Sequence, residues 1–118
     1  MATCRFRKRN RLLTAREYDR VFKQASHRIH TREFLMLAAD NERDVSRLGT
    51  VVSKKVAGNA VERNRMRRLL KETFRLSRVD SGVDVVFVAR PPAGGKSNTE
   101  LTEVLYGMWR KLAAKRAQ

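Results

Sequence analysis

The spacing of apolar residues changes several times along the chain, and each change predicts an element. Thr14 followed by Glu17 has the spacing of a capping box, and Tyr18, Val21, Phe22 and Ala25 then recur at helical intervals, which predicts a first helix over about Ala15 to Ala25. "REFLMLAAD" (32–40) and "SRLGTVVS" (46–53) are short apolar runs separated by a cluster holding Asp40, Asn41 and Asp44; they read as two antiparallel strands with a loop between them. "HRIHT" just before them is a candidate short edge strand. Asn59 with Glu62 repeats the capping-box spacing and opens a second helix from Ala60 to about Leu76. On that helix Met66, Leu69, Leu70, Thr73 and Phe74 share one face, Asn64, Arg68, Lys71 and Arg75 the opposite one, and Arg63, Arg65 and Arg67 the flanks. "VDVVFVAR" (83–90) is β-branched and nearly continuous, as an interior strand requires. "RPPAGGKS" (90–97) is a loop, and Leu101, Val104, Leu105, Met108 and Leu112 mark a last helix. The order predicts a two-layer α/β sandwich of three helices and a small, mostly antiparallel sheet of three or four strands.

Charge changes the picture from a generic sandwich to one with a selective surface. The 118 residues suit a single domain, with residues 1–13 as a basic, partly extended N-terminal segment. They include 27 Lys and Arg against 12 Asp and Glu, a formal net charge of +15. Such a field selects polyanions, nucleic acid before an anionic membrane. A hydrophobic content of 42% places that charge on a folded body and not on a disordered tail. Cys4 is the only cysteine, so neither an internal disulfide nor a Cys-based zinc site can be assembled. "MATCRFRKRNRLL" lacks the apolar run of a signal peptide, and no run of apolar residues is long enough for a membrane span. The expectation is a soluble cytoplasmic protein.

"NAVERNRMRRLLKETFR" (59–75) concentrates the charge. A run of cations on a helix is usually a solvated face, but solvation mixes signs and this stripe holds little acid. Like charges at Arg67 and Lys71, Arg68 and Lys71, and Lys71 and Arg75 each cost a few tenths of a kcal/mol, roughly, in an isolated helix, a cost that an external polyanion relieves.

The longer stretch "SKKVAGNAVERNRMRRLLKETFR" resembles the protein-subunit family of bacterial ribonuclease P, whose hallmark is a Lys-Lys pair, a Gly-type turn and an Ala-Val-x-Arg-Asn-Arg helix. "KRNRLL", a first helix with two spaced aromatics, "REF" and "DVVFVAR" follow the family's order, so the resemblance covers nearly the whole chain. It implies a left-handed crossover between the strand before the basic helix and the strand after it, against the usual right-handed rule. It further implies that the catalyst is a partner RNA, that the substrate is precursor tRNA cut at its 5′ end, and that magnesium is held mainly through the RNA and not by the protein alone. By the same resemblance Arg63, Asn64, Arg65, Arg67 and Arg68, with Lys71 beside them, contact the catalytic RNA, and Lys54 and Lys55 hold backbone phosphates. Tyr18 and Phe22 would line a cleft for the single-stranded 5′ leader, since aromatic faces stack on unpaired bases of any identity. Tyr18 is the better placed of the two; Phe22 is open to both a core and a cleft reading. Leu37 stands where several relatives carry an aromatic, which would remove one stacking platform.

Other chemistries fit less well. "GGKS" after a strand imitates a phosphate-binding loop, but Arg90 stands where the motif needs glycine, and Pro91 and Pro92 remove amide donors. His27 and His30 have no companions that complete a metal set, and no nucleophile, base and orienter can be assembled, so the chain alone is not expected to cleave. The alternative of a ribosomal or other structural RNA-binding protein explains the charge but not the Lys-Lys to Arg-Asn-Arg motif. A helix-turn-helix DNA binder needs a helix where the strands lie, and a membrane binder needs an apolar face that the core claims. Neither DNA nor membrane is an expected partner.

Overall fold

The computed structural model describes residues 8–77, 79 and 82–117. The expectation for the N-terminal segment therefore lies outside the described residues from Met1 to Arg7, Cys4 included; from Lys8 the chain makes a short 3-10 turn (Lys8–Asn10), and Arg11 then bridges to Leu48. Three helices follow, α1 (Ala15–Gln24), α2 (Ala60–Leu76) and α3 (Asn98–Arg116), with strands β1 (His27–His30), β2 (Phe34–Asp40), β3 (Arg47–Val51) and β4 (Val83–Ala89). The sheet order is β1-β2-β4-β3, antiparallel except for the parallel β3–β4 pair.

The helix limits follow local chemistry. At α1 the Thr14 hydroxyl accepts from the Glu17 N–H at 3.2 Å and the Glu17 carboxylate accepts from the Thr14 N–H at 3.0 Å, a complete capping box. At α2 only half of the expected box forms. The Asn59 side chain caps the Glu62 N–H at 2.8 Å, while the Glu62 carboxylate turns instead to Arg65 at 3.0 Å. Ser97 and Glu100 build a further complete box at the start of α3.

The two central runs, 32–40 and 46–53, do form strands of opposite direction, but they are not neighbours. β4 lies between them, hydrogen-bonded to both. The reason is burial: β4 is apolar on both faces, so it fits the centre, where each face is covered. The connection through α2 then joins parallel neighbours, β3 and β4.

Alternation splits the strands between two apolar clusters. Phe34, Met36, Ala38, Leu48, Val83, Val85 and Phe87 face α2 and α3, whose Met66, Leu70, Phe74, Leu101, Leu105, Met108 and Trp109 complete the main core. Phe87 and Trp109 meet edge-on at 5.1 Å between ring centres, and the indole N–H donates to Thr73 Oγ1 at 3.0 Å. Leu37, Ala39 and Val86 face the other way, under Val21 of α1 and Leu12. The sheet is thus covered fully on one face by two helices and in part on the other by one.

Candidate RNA-binding surfaces

α1 is fixed to the sheet by a buried ionic cluster. Asp84, fully buried on the central strand, receives two hydrogen bonds from Arg47, Nε to Oδ1 at 2.8 Å and Nη2 to Oδ2 at 2.7 Å. Asn41 Nδ2 donates to Asp84 Oδ1 at 2.7 Å, and Arg20 of α1 reaches Oδ2 at 3.4 Å. Arg47 Nη1 also meets Glu17 Oε2 at 2.5 Å. The Leu13 N–H above all, then the Thr14 N–H and the Arg47 charge, hold the Glu17 carboxyl below its usual pKa, despite burial acting in the opposite direction. The Asp84 hydrogen bond raises the pKa of Arg47 further still. This cluster escaped the sequence reading; its one visible signal was a lone acid in an otherwise apolar strand.

So anchored, α1 covers two rungs of the sheet and leaves the next half open. Gly49, Val86 and Leu37 lie in register beneath it. Val51, Val88 and Leu35, the next row on that face, are half-buried and end at exposed His30 on the β1 edge. Tyr18 borders this row. Its hydroxyl accepts from the Thr50 N–H at 3.1 Å, and its ring lies over Gly49 so closely that a Cβ there would come within 2.7 Å of Cε2. Phe22, one turn on along the same stripe, is 43% exposed and outside both clusters. The open choice for Phe22 is therefore resolved against the core, and Tyr18 is the more embedded of the two. Leu37 is only 2% exposed, so the apolar side chain that β2 offers to the open row is Leu35.

The row runs toward the turn after β3, where Lys54 and Lys55 are exposed. The buried Val56 and Ala57 anchor this turn, and Gly94 of the "RPPAGGKS" loop packs so tightly on it that a Cβ would lie 2.3 Å from the Val56 carbonyl oxygen. α2 starts immediately beyond, with its expected apolar face buried at Met66, Leu70, Thr73 and Phe74.

Most cations of α2 are tied to neighbouring groups. Arg63 donates to the Ala57 carbonyl at 3.1 Å, and Arg65 binds Glu62, Asn98 and the Lys96 carbonyl, joining α2 to the start of α3. Arg67 donates to Asn64 Oδ1 at 3.1 Å, and Arg75 pairs with Glu72. The stripe is thus less uncompensated than the sequence implied, since Glu62 and Glu72 each hold an arginine. Arg68 is exposed and has no partner among the described residues. With Arg65, Leu69, Lys71, Glu72, Arg75 and Asn98 it lines a groove of about 630 Å³ between α2 and α3. Among the described residues no group of three or more His, Cys, Asp or Glu is arranged to hold a metal ion, and a surface of arginine and lysine does not fit a protein-held magnesium.

A cation-lined helix on one side of the sheet and an aromatic-edged apolar row on the other, meeting at the end of β3, are features suited to a nucleic-acid-binding α/β protein. The Ribonuclease P family model matches residues 6–113, and the chain belongs to that family. It is 44% identical over 108 residues to the ribonuclease P protein component of Chromohalobacter salexigens, covering 91% of this chain and 84% of that one. Identity to the ribonuclease P protein component of Ectopseudomonas mendocina is 41% over 112 residues, 94% and 84% of the two chains. The solved RNase P protein of Staphylococcus aureus superposes with a TM-score of 0.80 at 30% identity, covering 87% of this chain and 94% of that one. The protein from Thermotoga maritima gives 0.72 at 29% identity, covering 85% and 96%.

Proposed function

We propose that the chain acts as the protein component of ribonuclease P, binding the catalytic RNA along α2 and the Lys54–Lys55 turn and holding the 5′ leader of precursor tRNA against the half-open row. The observation that carries this reading is the junction at the C-terminal end of β3, where Val51 of the apolar row leads within three residues to Lys54 and Lys55 and then to α2. Arg68, Lys71, Lys54 and Lys55 present charge outward to RNA phosphates. Arg63, Arg65, Arg67 and Asn64 keep the helix in place and offer their remaining N–H groups to the same backbone. Catalysis and magnesium binding are assigned to the RNA. Among the described residues, the groups with shifted ionisation, Glu17, Arg47 and Glu100, serve helix caps and the buried ion pair. No helix among the described residues is long and apolar enough to cross a membrane; a cytoplasmic location is part of the proposal.

Reconstitution tests it. With a bacterial ribonuclease P RNA the chain should stimulate cleavage of precursor tRNA at the 5′ end of the mature sequence, and the chain alone should not cleave. The leader assignment has its own test in Phe22→Ala, which removes an exposed ring and leaves both apolar clusters intact. Stacking of one base contributes about 1 to 3 kcal/mol, so precursor tRNA should bind the variant holoenzyme about 5- to 150-fold more weakly while mature tRNA, which has no leader, binds as before. Equal losses for both tRNAs, or none, would remove Phe22 from the leader path. Tyr18→Ala is the less clean probe, because it also removes the hydrogen bond that ties α1 to Thr50.

A further inference from the structure

We infer that the outer edge of the sheet at β1, through Arg28 and His30, is a separate seat for the part of the precursor leader that lies beyond the apolar row. This seat presupposes the leader-binding reading above but uses residues outside the row. Arg28 pairs with Leu37 and His30 with Leu35 in the β1–β2 register. Paired residues of an antiparallel ladder point to the same face, so both side chains stand on the α1 side of the sheet, where Leu37 and Leu35 pack. Both are exposed, and among the described residues neither is engaged in an ion pair. His27, on the opposite face, is by contrast half-buried, with Ser26 Oγ 3.2 Å from its Nδ1.

The backbone of this edge is held in place without a ligand. Each residue of β1 pairs with one of β2, and Ile29, between Arg28 and His30, is buried in the main core. Just past His30 the chain turns tightly: the Thr31 N–H donates to the Phe34 carbonyl at 2.8 Å, and Thr31 Oγ1 accepts from the Phe34 N–H at 3.1 Å. At the other end the Ser26 N–H donates to the Ala38 carbonyl at 2.8 Å. Arg28 and His30 belong to neither apolar cluster, so their side chains are available to a ligand.

The register also orders the leader. The row Val51, Val88 and Leu35 crosses three strands, and His30 continues it onto the fourth. Lys54 and Lys55 lie at its β3 end, next to α2, where the catalytic RNA is proposed to bind. Leader nucleotides nearest the cut therefore enter there, and the more distant ones leave over β1. From β3 to β1 is about 14 Å, more than the screening length of about 10 Å at moderate salt, so Arg28 meets a phosphate that Lys54 and Lys55 do not hold. Four-stranded sheets that bind RNA on one face seat about two or three bases, so about three nucleotides fill the row and the next ones reach the edge. There the guanidinium takes a backbone phosphate, and the imidazole ring offers a face to a base of any identity.

The test uses holoenzyme reconstituted with a bacterial ribonuclease P RNA, and measures its affinity for precursor tRNAs with leaders of about three and about eight nucleotides, one filling the row and one passing the edge. The parent is compared with a β1 variant, Arg28→Ala with His30→Ala, and with Arg110→Ala with Lys111→Ala, which removes charge from exposed positions on α3. The parent should bind the long leader more tightly than the short one. The β1 variant should lose about fivefold or more on the long leader while binding the short-leader precursor and mature tRNA as the parent does, and the α3 variant should stay close to the parent throughout. Equal losses at both leader lengths, or parent-like binding of the long leader, would overturn the inference and leave Arg28 and His30 as polar guards that keep an open sheet edge from pairing with another chain. A parent that prefers precursor to mature tRNA but gains nothing from the longer leader would also overturn it, with the leader-binding reading intact. A parent with no preference for precursor would remove both. Should the β1 variant fail to fold, Arg28→Gln is read by the same criterion: a loss confined to the long leader supports the seat, and parent-like affinity overturns it.

Discussion

Replacement of Asp84 by alanine is expected to lower folding stability by about 3 to 5 kcal/mol, because it leaves a buried guanidinium without its principal partner. Asp84 has no exposure and Arg47 only 8%, and their two parallel hydrogen bonds are of the strong, charge-assisted kind. Without the carboxylate, Arg47 retains Glu17, Asn41 retains the Val45 carbonyl as acceptor, and Arg20 retains the Asp40 carbonyl as its link from α1 to the sheet. Urea unfolding of parent and variant gives the difference directly. A companion double variant, Asp84→Leu with Arg47→Met, removes both charges together and should recover much of the loss. A cost below about 1 kcal/mol for Asp84→Ala would show that apolar contact at Val21 and Leu12, with the Tyr18–Thr50, Arg20–Asp40 and Arg47–Glu17 bonds, holds α1 without Asp84. The sign of the pH effect follows from Glu17. Its folded-state pKa is depressed, so its contribution is present above the ordinary carboxylate range and is lost as pH falls through the lowered value.

The consequence reaches the cleft. Arg20 and Glu17 sit on the same helix as Tyr18 and Phe22, one turn or less away, so the ionic cluster sets how far α1 stands above the row Val51, Val88 and Leu35. On the proposed function, a destabilised variant that still folds should therefore bind leader less well.

What could be read from the sequence was local. Asn59, Glu62 and the spacing of Met66, Leu70 and Phe74 specify the start and buried face of α2 within one window of the chain, and the structure follows them to the residue. The order of the strands could not be read in this way. The run 32–40 and the run 46–53 look like a hairpin because the intervening loop is short, yet β4, more than thirty residues further on, takes the place between them. The Arg47–Asp84 pair spans the same distance in sequence, so each residue alone reads as an oddity in an apolar strand. Phe22 shows a different limit: periodicity places an aromatic on a helix face but does not say how much of the sheet that helix covers. Only the position of α1, fixed by that distant ion pair, decides that Phe22 is exposed and Leu37 buried.

Affinity for the catalytic RNA should fall by about a thousandfold or more as salt rises from roughly 50 to roughly 200 mM, if six or more phosphates are neutralised on binding. The net charge of +15 sets the sign of the effect, and the arrangement of the cations sets its size. Lys54 and Lys55 are exposed at the turn before α2, and Arg68 and Lys71 line the groove between α2 and α3. Each cation that displaces counterions from the RNA contributes close to one unit of slope, so the slope reports how many of them make contact. Arg68→Ala with Lys71→Ala should lower it by about 2 while leaving folding stability within about 1 kcal/mol of the parent, since the buried face of α2 is untouched. Unfolding of this variant with unchanged RNA affinity would mean that the outward face of α2 serves the fold. A nearly flat salt dependence of the parent would mean that the stripe is a solvated surface, and that recognition depends on the apolar row instead.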